Sequence, residues 1–447
     1  MAKVYDLTKG KVSKLILSFY FPMLFTNLLQ QIYNIADTAI VGNGLGDNAV
    51  AAVGNMGSLT FLIVGFSVGL TNGFSVSVAQ SYGRKDMNGL RRCIASSVVL
   101  AGIITVLLTA ASILFLDELL LLLDTSAEIM SDSLLYGYIL FGGLFCTIFY
   151  NMCSAVLRAL GDSKTPLIAI IVSSVINVGL NWITIFVLGM GVDGPAYATI
   201  ISQLISAIIC FAHLRKIDII RLDKNDFVAE FRMYLELIRN GIAMALMNSI
   251  TAVGSMVVQF FVNGLGLAYT SAFSVCMRYL NLFIDPPCTA GFTMSAFTSQ
   301  NFGAGKYSRI REGLRVCLSI AFVFYLIFGA ILVFFPKTIA GFMLNEESTI
   351  ALAAEYLPPC GIMLFAVDFL FVYRSAVQGM GYPLVPMLSG IAAMIMRIVI
   401  VMLFVGSIGF VATAYAGIAA WIAALLMNIA AFYIILHKKR SRETVTE

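Results

Sequence analysis

The chain has 447 residues, of which 60% are apolar and only 12% are charged, and its mean hydropathy is +0.93. Soluble globular proteins keep roughly 25% charged residues, so this composition excludes a soluble protein and indicates a polytopic membrane protein. The net charge of +4 identifies no partner by itself, because in a membrane protein the position of the positive residues matters more than their sum.

Apolar stretches long enough to cross about 30 Å of hydrocarbon follow one another along the whole chain. They predict twelve transmembrane helices, at 15–41, 49–79, 91–116, 132–156, 166–188, 195–214, 237–262, 268–300, 313–335, 350–378, 384–406 and 411–436. The fold class is therefore predicted to be an all-α polytopic membrane protein.

Lys and Arg gather before span 1, after spans 2, 4, 6 and 8, and at the end of the chain, whereas the loops after spans 3 and 9 carry acidic residues. Because Lys and Arg are enriched in cytoplasmic loops, both termini are predicted to be cytoplasmic. The first apolar run is too long for a signal-peptide core and lacks a small-residue cleavage site. We expect a multi-pass protein of the plasma (cytoplasmic) membrane, present as a monomer.

The tetrapeptide Asn-Gly-Leu-Gly occurs at 43–46 and again 220 residues later, at 263–266. An internal repeat on this scale predicts two copies of one six-span unit. Because six is an even number, both copies have the same orientation, and a pseudo-two-fold axis along the membrane normal should relate them. The same spacing relates four further pairs: Gln80 with Gln300, Gly83 with Gly303, Gly161 with Gly381, and Pro166 with Pro386.

The repeat predicts an N-terminal six-helix lobe at 1–214 and a C-terminal six-helix lobe at 237–436. A charged cytoplasmic linker at 215–236 joins them, and a cytoplasmic tail occupies 437–447. The linker could form an amphipathic helix or a flexible loop. We expect the substrate to bind in a cavity between the lobes near the midplane, with access alternating between the two sides.

Asp37 is the first notable polar residue inside a span, where a charge costs at least ~2.5–3.5 kcal/mol on insertion scales. Helical spacing places it on one polar stripe that should face a cavity. The alternative is a structural hydrogen-bond network around a protonated carboxyl group. The other members of the stripe are Thr26, Gln30, Tyr33 and Asn34.

Span 5 carries Asn177 and Asn181 four residues apart, on one helix face, and Thr199 lies early in span 6. The loop count places these residues and Asp37 at a similar depth, in the outer half of the bilayer. One carboxylate with amide and hydroxyl oxygens is a set of hard ligands that suits Na⁺, or a place to hold a proton. We predict Asp37, Asn34, Asn177, Asn181 and Thr199 as the cation-coupling site, with Asp37 and Asn181 as possible Na⁺ ligands. The amides could alternatively only pair helices.

The second lobe offers a different polar set. Span 8 places Arg278, Asn281 and Asp285 on one face, just before Pro286-Pro287, which is expected to break the helix. Asp368 in span 10 and Arg397 in span 11 lie at comparable depths, so they could form a salt bridge, or Asp368 could be a second coupling site. The predicted substrate-binding residues are Gln30, Tyr33, Arg278, Asn281, Asp285 and Asp368.

Several motifs are missing. No phosphate-binding G-x-x-x-x-G-K-[ST] loop, nucleophile motif or H-E-x-x-H motif occurs, and the eight Cys residues are scattered singly. The sequence therefore predicts no cofactor, no nucleic-acid partner and no enzyme activity. An ion gradient is the remaining energy source, since one charge that crosses 100 mV contributes ~2.3 kcal/mol.

Four segments, at 31–54, 158–166, 191–199 and 299–306, resemble the multidrug and toxic compound extrusion (MATE) family. The resemblance covers nearly the whole chain. It implies twelve helices in two six-helix lobes, contact with membrane lipid, and export of organic cations or amphipathic drugs in exchange for Na⁺ or H⁺.

The family's span 1 acid falls on Asp37, its Asn-x-x-x-Asp pair falls on Asn177 and Asn181, and its span 6 Thr falls on Thr199. The second position of the pair is an amide here, so Asp37 is the only acid left and the resemblance implies one ion in this lobe. An alternative function is a flippase for lipid-linked oligosaccharides of the same superfamily, which often has fourteen spans and a basic cavity. A membrane-embedded enzyme would need an acid-base or metal cluster that the sequence lacks.

Overall fold

The structure is a computed structural model that describes residues 5–123, 125–228 and 230–446. All regular secondary structure in these ranges is helical. The α-helices are α1 (Val12–Leu45), α2 (Asp47–Arg84), α3 (Met87–Leu114), α4 (Leu116–Leu122), α5 (Ala127–Gly142), α6 (Leu144–Ala159), α7 (Lys164–Trp182), α8 (Asp193–Leu214), α9 (Phe231–Asn263), α10 (Leu267–Gly303), α11 (Tyr307–Phe334), α12 (Pro336–Gly341), α13 (Glu347–Ile362), α14 (Leu364–Gly379), α15 (Leu384–Ile408) and α16 (Val411–Thr446).

Within the described ranges, nine helices are by themselves long and apolar enough to cross a membrane. Two further spans are bent pairs: α5 meets α6 at 46°, and α13 meets α14 at 49°. The twelfth predicted span, 268–300, falls on α10, which has 37 residues. The predicted all-α fold is confirmed, and the two bends are features that the hydropathy pattern did not predict.

The 220-residue repeat extends to the backbone. The pairs α3 and α11, α5 and α13, α6 and α14, and α7 and α15 each begin 220 residues apart. Four pairs of residues with positive φ have the same spacing, and the last Gly of each Asn-Gly-Leu-Gly forms one of these pairs. Gly46 has φ 84° between α1 and α2, and Gly266 has φ 118° between α9 and α10. Glycine takes this backbone conformation at no steric cost, so the tetrapeptide marks the turn between the first two helices of each copy.

The chain forms two compact units. Unit 1 comprises residues 1–6 and 21–245, and unit 2 comprises residues 7–20 and 246–447. The first helix of each copy is therefore divided between the units. The two units are defined by which residues pack together, whereas the lobe boundaries at 214 and 237 come from the repeat. Those boundaries stay a prediction.

In unit 1, the first half of α9 packs closely against α2. A Cβ on Gly73 would lie 2.5 Å from the Cα of Gly241, so the two helices approach at backbone distance. Ser77 Oγ donates to Glu236 Oε1 (3.2 Å), and Asn240 Nδ2 donates to Ser77 Oγ (3.1 Å). The core of the unit is formed by α6 packed on α2 and α8, and by α7 packed on α8.

In unit 2, the segment before α1 is bound by the end of α10. Leu7 donates its backbone N–H to Gln300 Oε1 (2.9 Å), and Asn301 Nδ2 donates to the Leu7 carbonyl oxygen (3.2 Å). Lys306 Nζ donates to the Thr8 carbonyl oxygen (2.8 Å). The core of this unit is formed by α10 packed on α14, and by α15 packed on α16.

One expectation about local structure is wrong, and one of the two alternatives for the linker is excluded. α10 continues through Pro286-Pro287, both buried, because packing inside a membrane protein can satisfy the carbonyl groups that proline leaves free. The linker between α8 and α9 is not an amphipathic α-helix over 215–228. It contains two short 3₁₀ turns, Asp218–Ile220 and Lys224–Phe227, and it buries Ile217 and Ile220 in the core of unit 1.

Gly161 provides a test of the turn between α6 and α7. Its φ is 84°, and an added Cβ would clash with the carbonyl oxygen of Tyr5 in the same unit. A left-handed backbone conformation costs a residue with a Cβ roughly 1–2 kcal/mol. We expect Gly161→Ala to lower the Tm of the detergent-solubilised protein by at least about 2 °C, because 1 kcal/mol shifts the Tm of a body of 150–250 residues by about 2–4 °C. Gly102→Ala is the control, because Gly102 is an exposed helical residue with no atom within 4 Å of the added Cβ. Equal Tm values for the two variants would contradict this account of the turn.

Candidate functional site

The centre of the site is a hydrogen bond between α1 and α7. Asn181 Nδ2 donates to Asp37 Oδ1, and the same amide group donates to Asn177 Oδ1 (2.9 Å). Asn177 and Asn181 have no exposed surface, whereas Asp37 is half-buried. At 1.5 Å per residue, Asp37 lies about 12 Å from the end of α1 at Leu45, which is well inside the span. The structure therefore brings together the three residues that the polar stripes singled out.

Three hydroxyl groups complete the cluster. Tyr33 on α1 and Tyr136 on α5 both lie near Thr199 on α8. Asp37 lies near both tyrosines. One acid is thus surrounded by amide and hydroxyl groups from four helices of unit 1.

One buried oxygen atom of the cluster accepts no hydrogen bond from the described residues. Asn181 Oδ1 is buried and has no hydrogen-bond partner among the described residues. A buried polar atom without a partner costs about 1–3 kcal/mol. This amide oxygen beside a carboxylate is the kind of group that a hard cation would coordinate.

Helix α7 changes its winding directly after this residue. The chain continues past Trp182 as a π-helical turn, Ile183–Val187, and Thr184 Oγ1 donates to the Leu180 carbonyl oxygen (2.9 Å). The matching helix of unit 2, α15, shows no such turn in its described length, Leu384–Ile408. Such π-turns are rare and are frequent at functional sites, so this local distortion distinguishes unit 1.

Two predicted members of the site are not joined to it. Asn34 is exposed, and Gln30 is half-buried one turn earlier on α1. Within the part of the chain that the structure describes, no hydrogen bond connects either side chain to Asp37. Their roles in coupling and in substrate binding stay predictions.

The predicted polar face of α10 is present in unit 2. Arg278 and Asn281 are exposed, and Asp285 is half-buried with one carboxyl oxygen, Oδ2, buried and unpartnered among the described residues. The three residues therefore lie along one accessible face of the helix, as the spacing predicted. Whether they bind substrate stays a prediction.

The predicted salt bridge between Asp368 and Arg397 is wrong. Asp368 has no exposed surface, and neither of its carboxyl oxygens has a hydrogen-bond partner among the described residues. Arg397 instead donates from Nη1 to Ser255 Oγ (3.2 Å). Similar depth in neighbouring spans does not fix the direction in which a side chain points, and here Arg397 contacts Ser255 instead of Asp368.

Tyr136 is the member of the site that the sequence did not predict. It lies two residues before Tyr138 in span 4, and nothing in the spacing distinguishes the two. Tyr136 has 6% of its surface exposed, whereas Tyr138 has 38% and donates to Asp117 outside the cluster. The repeat contained a usable signal, because a tyrosine also occupies the position 220 residues later, Tyr356.

The architecture defines the class of protein. A twelve-span, all-α membrane protein built from two copies of one unit, with polar groups buried inside its spans, has the construction of a secondary transporter. The described residues contain no group of three or more His, Cys, Asp or Glu side chains that could hold a metal ion.

Comparison with known proteins gives the family. The MatE family model matches residues 22–183 and again residues 243–403, one match in each copy of the repeat. The two matches cover well over half of the chain, so the protein belongs to the MATE family, whose members are transporters.

Curated relatives and solved structures agree. The chain is 29% identical to the probable multidrug resistance protein YoeA of Bacillus subtilis over 353 residues, which cover 76% of this chain and 75% of that protein. It is 29% identical to the probable multidrug resistance protein YpnP of the same organism over 385 residues, 85% of each chain. A crystal structure of a MATE in the bent conformation matches with a TM-score of 0.90 and 22% identity, and the match covers 98% of each chain. At that identity the structural match shows the fold alone.

The role of Tyr136 can be tested by removing one oxygen atom. Tyr136→Phe should weaken cation-dependent stabilisation of the purified protein by about two- to tenfold in apparent affinity, because one hydrogen bond contributes about 0.5–1.5 kcal/mol. The measurement is the Tm at increasing Na⁺ and, separately, at decreasing pH. Tyr138→Phe is the matched control on the same helix and should keep the wild-type response. A Tyr136→Phe curve that coincides with wild type would remove this residue from the site.

Proposed function

We propose that the protein is a multidrug efflux antiporter that exports organic cations or amphipathic drugs in exchange for Na⁺ or H⁺. The observation that carries this proposal is the contact between Asp37 and Asn181, which holds a single carboxylate inside a membrane span. Family membership supports the transport class, and the names of the Bacillus subtilis relatives support multidrug export. The same names give no support to the flippase alternative.

Coupling follows from competition for one negative charge. A carboxylate in a span is stable only when it is paired, protonated or in water. The coupling ion and a cationic substrate can each supply the missing positive charge, but one carboxylate neutralises only one monovalent cation at a time. Exchange rather than co-transport is the expected result.

The ligand set supports a stoichiometry of one ion in this unit. The carboxyl group of Asp37, the Oδ1 atoms of Asn177 and Asn181, and the hydroxyl of Thr199 are hard oxygen donors that suit Na⁺. The same carboxyl group can take up a proton instead. With an amide at position 181, the unit lacks the second acid that a relay of protons between two carboxyl groups would need.

Substrate contacts are proposed on α1 and in unit 2. Tyr33 and Gln30 lie on the same helix as Asp37, and Asp285 supplies a half-buried carboxyl group that could pair with a cationic drug. Asp368 would interact with a cation only after its dry environment changes, because it has no exposed surface in this structure. The distribution of Lys and Arg supports cytoplasmic termini.

The test is uptake of a fluorescent cationic dye by everted membrane vesicles. One arm imposes high Na⁺ inside the vesicles at equal pH, and the other imposes an acidic interior without Na⁺. We expect the wild-type protein to take up dye in the arm that contains the coupling ion. Asp37→Asn should show uptake near the background level in both arms.

Asp117→Asn is the matched control, because it makes the same chemical change at an exposed carboxyl group outside the cluster. It should transport dye at the wild-type rate. Normal uptake by Asp37→Asn would show that Asp37 is only structural and would reject the proposed coupling.

A further inference from the structure

Unit 2 contains a cavity at the position that the repeat assigns to the ion cluster of unit 1. Tyr356 and Arg397 line this cavity, and they lie 220 residues after Tyr136 and Asn177. In unit 1 the matching tyrosine lies near Asp37, and in unit 2 Tyr356 and Arg397 line one cavity. The duplicated scaffold therefore forms a second polar centre from the same helix positions.

The sign of the charge is reversed between the two centres. The positions that match Asp37 and Asn181 are Val257 and Val401, 220 residues later. Thr199 is the seventh residue of α8, and the seventh residue of α16 is Gly417. The acid and two oxygen ligands of unit 1 are thus replaced by residues without a polar side chain, and one amide is replaced by a guanidinium group. This centre offers a cation no set of oxygen ligands, whereas it offers an anion the fixed positive charge of Arg397.

The guanidinium group of Arg397 has no counter-charge. It donates from Nη1 to Ser255 Oγ (3.2 Å), and no carboxylate among the described residues forms an ion pair with it. Arginine carries five N–H donors in a planar arrangement that matches a carboxylate with two parallel hydrogen bonds. A charge at this depth in a span is costly unless it is compensated.

The cavity combines the charged group with apolar walls. Its internal space is about 40 Å³, and about 390 Å³ only when the opening is counted, so the body of a ligand held at Arg397 would lie partly in the opening. Phe273, Met277 and Trp421 form apolar walls, and Ser255 and Thr413 add hydroxyl groups. All of these residues belong to unit 2.

We propose that this cavity binds the carboxylate group of a small aromatic organic anion. Arg397 would hold the carboxylate, Tyr356 lines the same cavity and would be a second donor, and the aromatic walls would contact the apolar body. An inorganic anion would satisfy the charge but would leave the apolar walls without a partner. The inference goes beyond the proposed export of cations, and because it concerns equilibrium binding it can succeed or fail independently of transport.

Tryptophan fluorescence gives a local readout. The chain has two Trp residues, Trp421 in the cavity wall and Trp182 on α7. In a Trp182→Phe background, Trp421 is the sole tryptophan, and benzoate is the probe. We expect benzoate to change the Trp421 emission of the purified protein in a saturable way. Benzamide, its neutral counterpart, should bind at least about tenfold more weakly, because hydrogen bonds to charged groups are stronger than those to neutral groups.

Arg397→Asn introduces the residue type that unit 1 carries at the matching position, and it should weaken benzoate binding at least about tenfold. Asp37→Asn should bind benzoate as wild type does, which separates this site from the coupling site. Size-exclusion chromatography and Tm show whether Arg397→Asn folds. If it does not, two other measurements decide the question. One is the ratio of benzoate affinity to benzamide affinity in the otherwise unaltered cavity, and the other is the benzoate affinity of Arg397→Lys, which should keep part of the wild-type affinity.

Three results would overturn the inference. Benzoate could bind Arg397→Asn as tightly as wild type, or benzamide could bind as tightly as benzoate. Excess chloride could also change Trp421 emission while benzoate has no effect, which would identify a site for an inorganic counter-ion only.

Discussion

The constraint on which the site depends is that one carboxyl group, Asp37, must be held inside an apolar span. Asn181 meets this requirement by donating its amide group to the carboxylate, and Asn177 accepts from the same amide. Tyr33 and Tyr136 lie near both Asp37 and Thr199. Because every group in the cluster is neutral except one, the binding or release of a single cation changes the net charge of the whole cluster.

The two copies of the repeat share a backbone but not a chemistry. Most helix starts and four pairs of positive-φ residues recur at a spacing of 220 residues, which shows that the turns of the ancestral unit are retained. At the polar centre the tyrosine recurs, as Tyr136 and Tyr356, but the charged and amide side chains do not. Val257 stands where unit 1 has its acid, and Arg397 stands where it has an amide. Duplication thus supplied two equivalent frameworks, and substitution at a few buried positions gave them opposite charge.

Much of the fold could be predicted from the sequence, because hydropathy and helical period are local properties. All twelve spans were located, and the pairing of Asp37 with Asn177 and Asn181 followed from their common depth and helix faces. The bends between α5 and α6 and between α13 and α14 could not be predicted, because they depend on packing between distant helices. The predicted salt bridge between Asp368 and Arg397 is wrong for a related reason. The depth of a residue along its helix can be read from the sequence, but the rotation of each helix toward its neighbours cannot. Tyr136 was missed because its neighbour Tyr138 offers the same chemistry and only tertiary packing decides which of them is buried.

Counting the cations bound by the purified protein tests the central claim most directly. Binding of the coupling ion, followed as ²²Na⁺ retention or as proton uptake, should reach one ion per wild-type chain and none for Asp37→Asn. Asp368→Asn should still bind one ion. The account would be contradicted if Asp37→Asn retained its ion and Asp368→Asn lost it, because the coupling site would then lie in unit 2.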